Sequence, residues 1–596
     1  MLFRPKIIFL LIWLIPFAAV VRAEDWTTFY EKSNFRQTPR FAETHAYFQK
    51  LADYSPRARL EIFGETPEGR ALELLIISNE KHFKPGPAKT SGKPIVLIEN
   101  CIHPGESEGK DASMLLARDL LVKNKYPEIL DKLTLLIIPI INPDGHERFG
   151  AFNRINQNGP DEMGWRVTAT RLNLNRDFMK ADAPEMCAWL KMFGQWDPHL
   201  FIDCHTSDGA DFQYDILYYL DQHDEFGGAI SRWARQEFLP NFLPRVEARG
   251  HILGQYCGLL DEKRPEMGLR CGVWPPRLSN VYVTLRNRGG LLLETHSLKD
   301  YQTRVTATYD FLLSALQEIA QNPTRLIRAV AAEDARVELL GKKYDPAIQI
   351  PLTFQSTTQV DSILYRGYAV VPQPGRISGA EYLTYQPIPR DIPTVAFNAV
   401  EPVVSVPVPL GYLIPRQWQD VLEILELHEI QLFRLEQEIA DTFQVYHVED
   451  PVWATAPYEG RLRVSFKTRQ QAEKHTLPAG TVYAPVSQPN AKILIHLLEP
   501  QAPDALIGWG FFNTIFEIKE YFENYSMEPL AQKMAADNPA LNAEFAAKLA
   551  QDSVFAASPA QRLMFFYQRS PYWDSARNRY PVFRVIKPLA PNLLSD

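Results

Sequence analysis

A chain of 596 residues is too long for one ordinary hydrophobic core, so two or three folded units are expected. Hydrophobic residues at 46% and charged residues at 22% form an ordinary globular balance. The formal net charge of -8 argues against a nucleic-acid partner, because phosphate binding selects a basic face.

The first residues are basic and precede an apolar run at 7–21 that ends in Val21-Arg22-Ala23. This pattern is that of a secretory signal peptide, with cleavage expected after Ala23. The run is shorter than the ~20 residues a spanning helix needs, and Pro16 interrupts it. No later segment is long and apolar enough to span a membrane, so a periplasmic or secreted protein without a membrane span is expected.

Residues 24–322 alternate strands and helices. Two strands are expected within 59–78, around the turn Thr66-Pro67-Glu68-Gly69. Apolar runs follow at 94–99, 133–141, 200–204 and 291–293, each suited to a strand buried on both faces. Helices are expected at 111–123, after Pro184 and at 301–321. The fold class is therefore α/β, with a mixed, mostly parallel sheet flanked by helices. A β-rich region is expected at 323–500, where proline is frequent, and a mostly helical one at 501–596. Within them, 416–443 reads as helical and 461–498 as strands. Five cysteines, Cys101, Cys187, Cys204, Cys257 and Cys271, cannot all pair within the chain. Export permits a bridge between Cys257 and Cys271, which sequence does not decide.

Three strand ends carry chemistry. The first runs into His103-Pro104-Gly105-Glu106, whose imidazole and carboxylate both suit zinc. The second delivers His205 beside Thr206, Ser207 and Asp208. Two imidazoles and one carboxylate leave a fourth position open, the pattern of a catalytic zinc site. The third ends in Glu294, a general base beside zinc or else the ion-pair partner of Arg286 or Arg288. Between them lie Asn142-Pro143-Asp144-Gly145, Asn153-Arg154-Ile155-Asn156-Gln157 and Leu174-Asn175-Arg176. Asn175 and Arg176 suit a carboxylate clamp, since guanidinium binds carboxylate through two parallel hydrogen bonds.

Taken in order, these five motifs resemble the zinc metallocarboxypeptidases of the carboxypeptidase A type, in a secreted bacterial form with a C-terminal accessory region. The resemblance covers about residues 41–319. It implies one Zn2+ bound by His103, Glu106 and His205, a peptide's terminal carboxylate held by Asn175 and Arg176, and Glu294 as base. Two departures stand out. Pro104 occupies a position that is usually small. Gln157 stands where the family carries an oxyanion-stabilising arginine, leaving Arg154, Arg171, Arg286 or neutral donors to replace it, with Arg154 favoured. Tyr282 is the expected substrate-capping tyrosine. Besides a peptidase of free C-termini, the pattern admits a cell-wall peptide hydrolase or a degenerate zinc-binding protein.

Overall fold

The computed structural model describes residues 24–595, so the signal-peptide expectation lies outside the described residues. Ten strands are met in the first half: β1 (Ala58–Glu65), β2 (Ala71–Ile77), β3 (Ile95–Glu99), β4 (Thr134–Ile138), β5 (Leu200–Ser207), β6 (Ile216–Tyr219), β7 (Leu253–Gln255), β8 (Gly258–Leu259), β9 (Leu269–Arg270) and β10 (Gly289–His296). Eight of them form one sheet in the order β1-β2-β4-β3-β5-β10-β6-β7. Its centre, β4-β3-β5-β10, is parallel, and antiparallel pairs flank it. The central strands are buried along their whole length, as their unbroken apolar runs require.

Side-chain alternation divides these strands between two cores. Val96, Ile98, Leu135, Ile137 and Ile202 face the helices Glu108–Leu121 and Tyr301–Gln321. Leu97, Leu136, Ile138 and Phe201 face the helix Pro184–Trp196. That second core continues without a break into the C-terminal half, through Val421, Leu425, Ile493, Leu497 and Trp509. The C-terminal half is therefore the cover of an apolar sheet face, which would otherwise meet water.

In that half, β11 (Gln349–Ser356) pairs with β14 (Val400–Pro407), and β12 (Asp361–Pro374) with β13 (Glu381–Phe397). The β12–β13 hairpin joins β9 and β8 of the first half in one four-stranded sheet. A seven-stranded sheet follows, built from β15 (Gly411–Ile414), β16 (Phe433–Leu435), β17 (Ile439–Trp453), β18 (Val464–Leu477), β19 (Val482–Pro485), β20 (Phe583–Val585) and β21 (Leu594–Ser595).

Three sequence expectations change here. The segment 416–443 is helical only at Gln419–Leu427, and then gives way to β16 and β17. The segment 461–498 ends in a buried helix, Ala491–Leu498, because a short apolar run reads alike as strand or buried helix. The expected boundary at 500 is crossed: β20 lies between β17 and β15, so the last segment completes the preceding sheet. Helices at 524–567 follow the expectation for the tail. Cys257 and Cys271 are disulfide-bonded.

The helix Pro184–Trp196 places Glu185 in the interior with neither carboxylate oxygen hydrogen-bonded. Burial raises its pKa to about 7, and Asp144 and Asp177 push in the same direction. A folded pKa above the unfolded value of 4.5 means that stability is full below pH 4.5 and is lost as pH rises towards 7. Glu185→Gln is therefore expected to match the wild type in acid and to exceed it by about 2 kcal/mol above pH 7, after allowance for partial screening. Denaturant melts at the two pH values check this.

Candidate active site

Each metal-ligand candidate stands at the C-terminal end of a parallel strand, where open α/β sheets place their sites. His103 and Glu106 lie on the turn from β3 to the helix Glu108–Leu121, and His205 lies on β5. One donor atom from each falls within 4.8 Å of the others. Arg154 can lie against this turn because residue 105 is glycine. A Cβ there would come 2.4 Å from Cδ of Arg154.

The donors point inward and their far sides are held. His103 Nε2 donates to Asn173 Oδ1 at 3.0 Å, and His205 Nε2 donates to Asp203 Oδ2 at 2.7 Å. The Nδ1 atoms are left facing Glu106, at 3.1 Å from His103 and 2.9 Å from His205. His103 Nδ1 is buried and makes no hydrogen bond. Ligating histidines are oriented in this way, with the second nitrogen donating to an oxygen. Two imidazole nitrogens and a carboxylate also form the donor set zinc prefers, so the residues fit that ion.

The electrostatics of His103 and Glu106 suit a metal site, whereas His205 must lose a proton to bind one. Burial lowers the pKa of His103 to about 4, so its ring is neutral near pH 7 and Nδ1 has a free lone pair. Glu106 is held well below the carboxylate range despite burial, by His103 and Arg154. Burial disfavours the charged form of His205, but Asp203 and Glu106 outweigh it and hold its pKa high.

Glu294 sits on β10 directly opposite His205 on β5. Its pKa is raised to about 8, first by burial and then by Glu106 and Asp203, against the pull of His205 and Arg154. The alternative of an ion pair with Arg286 or Arg288 is not realised. Arg286 pairs with Glu429, and Arg288 with Asp197 and Asp334.

The family profile described as zinc carboxypeptidase matches residues 44–210, a span that holds His103, Glu106 and His205. Over this span the chain is similar to the zinc carboxypeptidases. Among its relatives, carboxypeptidase 2 of Trichophyton rubrum is 21% identical over 465 residues, covering 75% of this chain and 79% of the relative. Carboxypeptidase B of Astacus astacus is 28% identical over 124 residues, covering 20% of this chain and 35% of the relative. A metallo-carboxypeptidase from Burkholderia cenocepacia aligns in structure with a TM-score of 0.35 and 17% identity, over 47% of this chain and 69% of that one. One from Pseudomonas aeruginosa, in complex with (2-guanidinoethylmercapto)succinic acid, gives 0.34 and 18%, over 47% and 68%.

Around the candidate zinc ligands, Gln157 takes a structural role. Its Nε2 donates to the carbonyls of Gly105 and Gly159. Of the arginines weighed as its substitute, Arg286 is buried against Tyr282 and Glu429, and Arg171 is exposed. Arg154 donates to Glu106 Oε1 at 2.8 Å with a side chain 12% exposed. Arg166, which sequence reading missed, reaches the same oxygen at 3.4 Å and is 43% exposed.

Arg176 is partly exposed on a short turn, Leu174–Arg176, and donates to the Asn175 carbonyl at 2.6 Å. The Asn175 amide is buried, accepting from the Ser279 N–H and lying 3.4 Å from His205 Nε2. Tyr282 is a correction. It is fully buried among Phe178 and Trp189, with its hydroxyl on His428 and Arg286, so it does not face the zinc ligands. Tyr256 lines the cavity that opens beside Ser207 and Asp208 at the end of β5. The negative charges of Glu294, Glu106 and Asp208 raise its pKa, and Arg176 opposes them. Asp203 was open to sequence reading, since it stands two residues before His205 and shares its face of the strand.

Proposed function

We propose that this zinc carboxypeptidase removes single residues from the free C-terminus of peptides in the periplasm or outside the cell. The observation that carries this reading is the pairing of Glu294 on β10 with His205 on β5, beside the His103–Glu106–His205 cluster. Zinc on His103, Glu106 and His205 supplies a Lewis acid beside Glu294. Arg176 pairs with the substrate's terminal carboxylate and sets the register of the chain. Glu294 takes a proton from the attacking water and returns it to the departing amine nitrogen. The charge developing on the carbonyl oxygen faces Arg154 and Arg166, which replace the arginine absent at position 157. Tyr256 covers the bound end of the peptide. The Cys257–Cys271 disulfide supports export to an oxidising compartment. Among the described residues no helix is long and apolar enough to cross a membrane.

A cavity of about 480 Å³ adjoins the site at Tyr256 and at Leu217, which pairs with Glu294 across β6 and β10. Phe212, Tyr214, Trp274 and Tyr365 line it, and Tyr365 comes from the β12–β13 hairpin. We propose that it receives the side chain of the released residue and selects aromatic or large apolar ones. Asp208, Glu247 and Glu262 on its lining disfavour acidic side chains.

Incubating the zinc-loaded mature protein with a mixed peptide library, each sequence as free acid and as amide, tests both readings by mass spectrometry. Loss of one C-terminal residue from the acids, aromatic residues first, is the expected result. Cleavage of acids and amides alike would overturn the clamp, and cleavage of cell-wall peptides alone would change the substrate class. Arg176→Ala is expected to raise KM for free acids about 100-fold, the loss of a charge-assisted pair of about 3 kcal/mol, and to leave the amides unchanged. Steady-state kinetics on matched acid and amide substrates check it.

A further inference from the structure

A turn of the C-terminal half reaches Asn173, the residue that holds His103. Between β17 and β18 the chain reverses at Tyr458-Glu459-Gly460-Arg461, with Tyr458 and Arg461 exchanging both backbone hydrogen bonds. Glu459 and Gly460 both take left-handed backbone angles, with φ of 48° and 78°. Such a turn favours Asn or Asp before Gly. A glutamate in that conformation costs about 1–2 kcal/mol, so the turn by itself does not account for it.

The Glu459 carboxylate accepts the backbone N–H of Asn173 at 2.8 Å. Asn173 is the residue whose Oδ1 takes the His103 Nε2 proton and also caps the turn bearing Asn175 and Arg176, by accepting the Asn175 N–H at 3.0 Å. The backbone donor identifies the amide oxygen, so His103 carries its proton on Nε2 and presents Nδ1 to the metal side. The reversal is anchored beside this chain of contacts. Arg461 pairs with Asp182 and lies 3.7 Å over the Phe511 ring, and a Cβ at Gly460 would come 3.2 Å from Leu172 Cδ2.

We propose that Glu459 is a positioning residue, through which the C-terminal half sets both the orientation of His103 and the geometry of the carboxylate clamp. The contact runs Glu459 to Asn173, and from Asn173 to His103 on one side and to the Asn175–Arg176 turn on the other. This inference rests on the reading of His103 as a zinc ligand. It gives the C-terminal half a part in the reaction beyond covering the sheet.

The test uses Glu459→Gly and Glu459→Gln in the full chain, with zinc affinity measured by chelator competition, KM for a free-acid peptide, and Tm. Glycine removes the carboxylate and also relieves the strained backbone. A purely structural role therefore predicts equal or higher Tm with zinc affinity and KM unchanged, and that result overturns the proposal. The expected result is a wild-type or higher Tm with zinc affinity lowered about 10-fold, at the low end of losses seen for partners of metal ligands, and a raised KM. Glu459→Gln, whose amide oxygen can accept the same N–H, is expected to recover both values. Failure to recover them would also overturn it. His103→Ala is the reference: undiminished zinc affinity in that variant would refute the ligand assignment itself.

Discussion

Glu294→Gln is expected to lower kcat about 1,000-fold with zinc still bound and KM little changed. Glutamine keeps the volume and the hydrogen-bonding reach of the side chain but accepts no proton at catalytic pH. Glu294 makes no ion pair with an arginine, since Arg286 and Arg288 are engaged on Glu429, Asp197 and Asp334. Burial and the neighbouring carboxylates bring its pKa to about 8, into the range where a base both holds and releases a proton readily. Bound zinc adds a positive charge and draws that value down. In the wild type, kcat/KM is expected to fall on the acid side as Glu294 is protonated, and in the variant that limb disappears. Steady-state kinetics across pH, with metal content measured on the same samples, decide it. Full activity with zinc bound would place the base elsewhere.

Loss of the metal is expected to have an equal or greater effect. Chelation of the wild type, or His205→Ala, removes the Lewis acid and is expected to abolish detectable turnover, a loss of at least about 1,000-fold. Added zinc should restore the chelated wild type and not the variant. Asp203→Asn is expected to fall between them. Asp203 accepts the Nε2 proton of His205 at 2.7 Å and its other neighbour is the Ser279 hydroxyl, so replacing its charge weakens the hold on the ligand. Zinc affinity about 10- to 100-fold lower, with activity regained at high zinc, is the expected outcome. Activity that survives complete removal of zinc would take the metal out of the mechanism.

The candidate zinc ligands and the candidate base were legible because each stands at or just beyond the end of an apolar strand. Once β3, β5 and β10 are read as parallel neighbours, their C-terminal ends must lie together, and with them His103, Glu106, His205 and Glu294. Such strands are specified locally, by unbroken runs of Val, Ile and Leu, and residues two apart share a face. That logic reaches Asp203 but not Tyr256. Tyr214, Tyr218, Tyr219, Tyr256 and Tyr282 all lie between His205 and Glu294, and nothing local distinguishes Tyr256, which lines the adjoining cavity, from Tyr282, which is packed against Trp189.

By itself, the sequence determined the α/β sheet and picked out a candidate donor set for zinc and a candidate base, because strand periodicity and short ligand spacings are local properties. Only the tertiary structure decided that Gln157 ties two loop carbonyls, that Arg154 and Arg166 meet at Glu106, and that Glu459 reaches Asn173 from 286 residues away. It also decided that the C-terminal half shares the core of the catalytic sheet. These are long-range packing outcomes. They depend on which apolar face must be covered and which buried polar group still lacks a partner, and neither is written in any short stretch of chain.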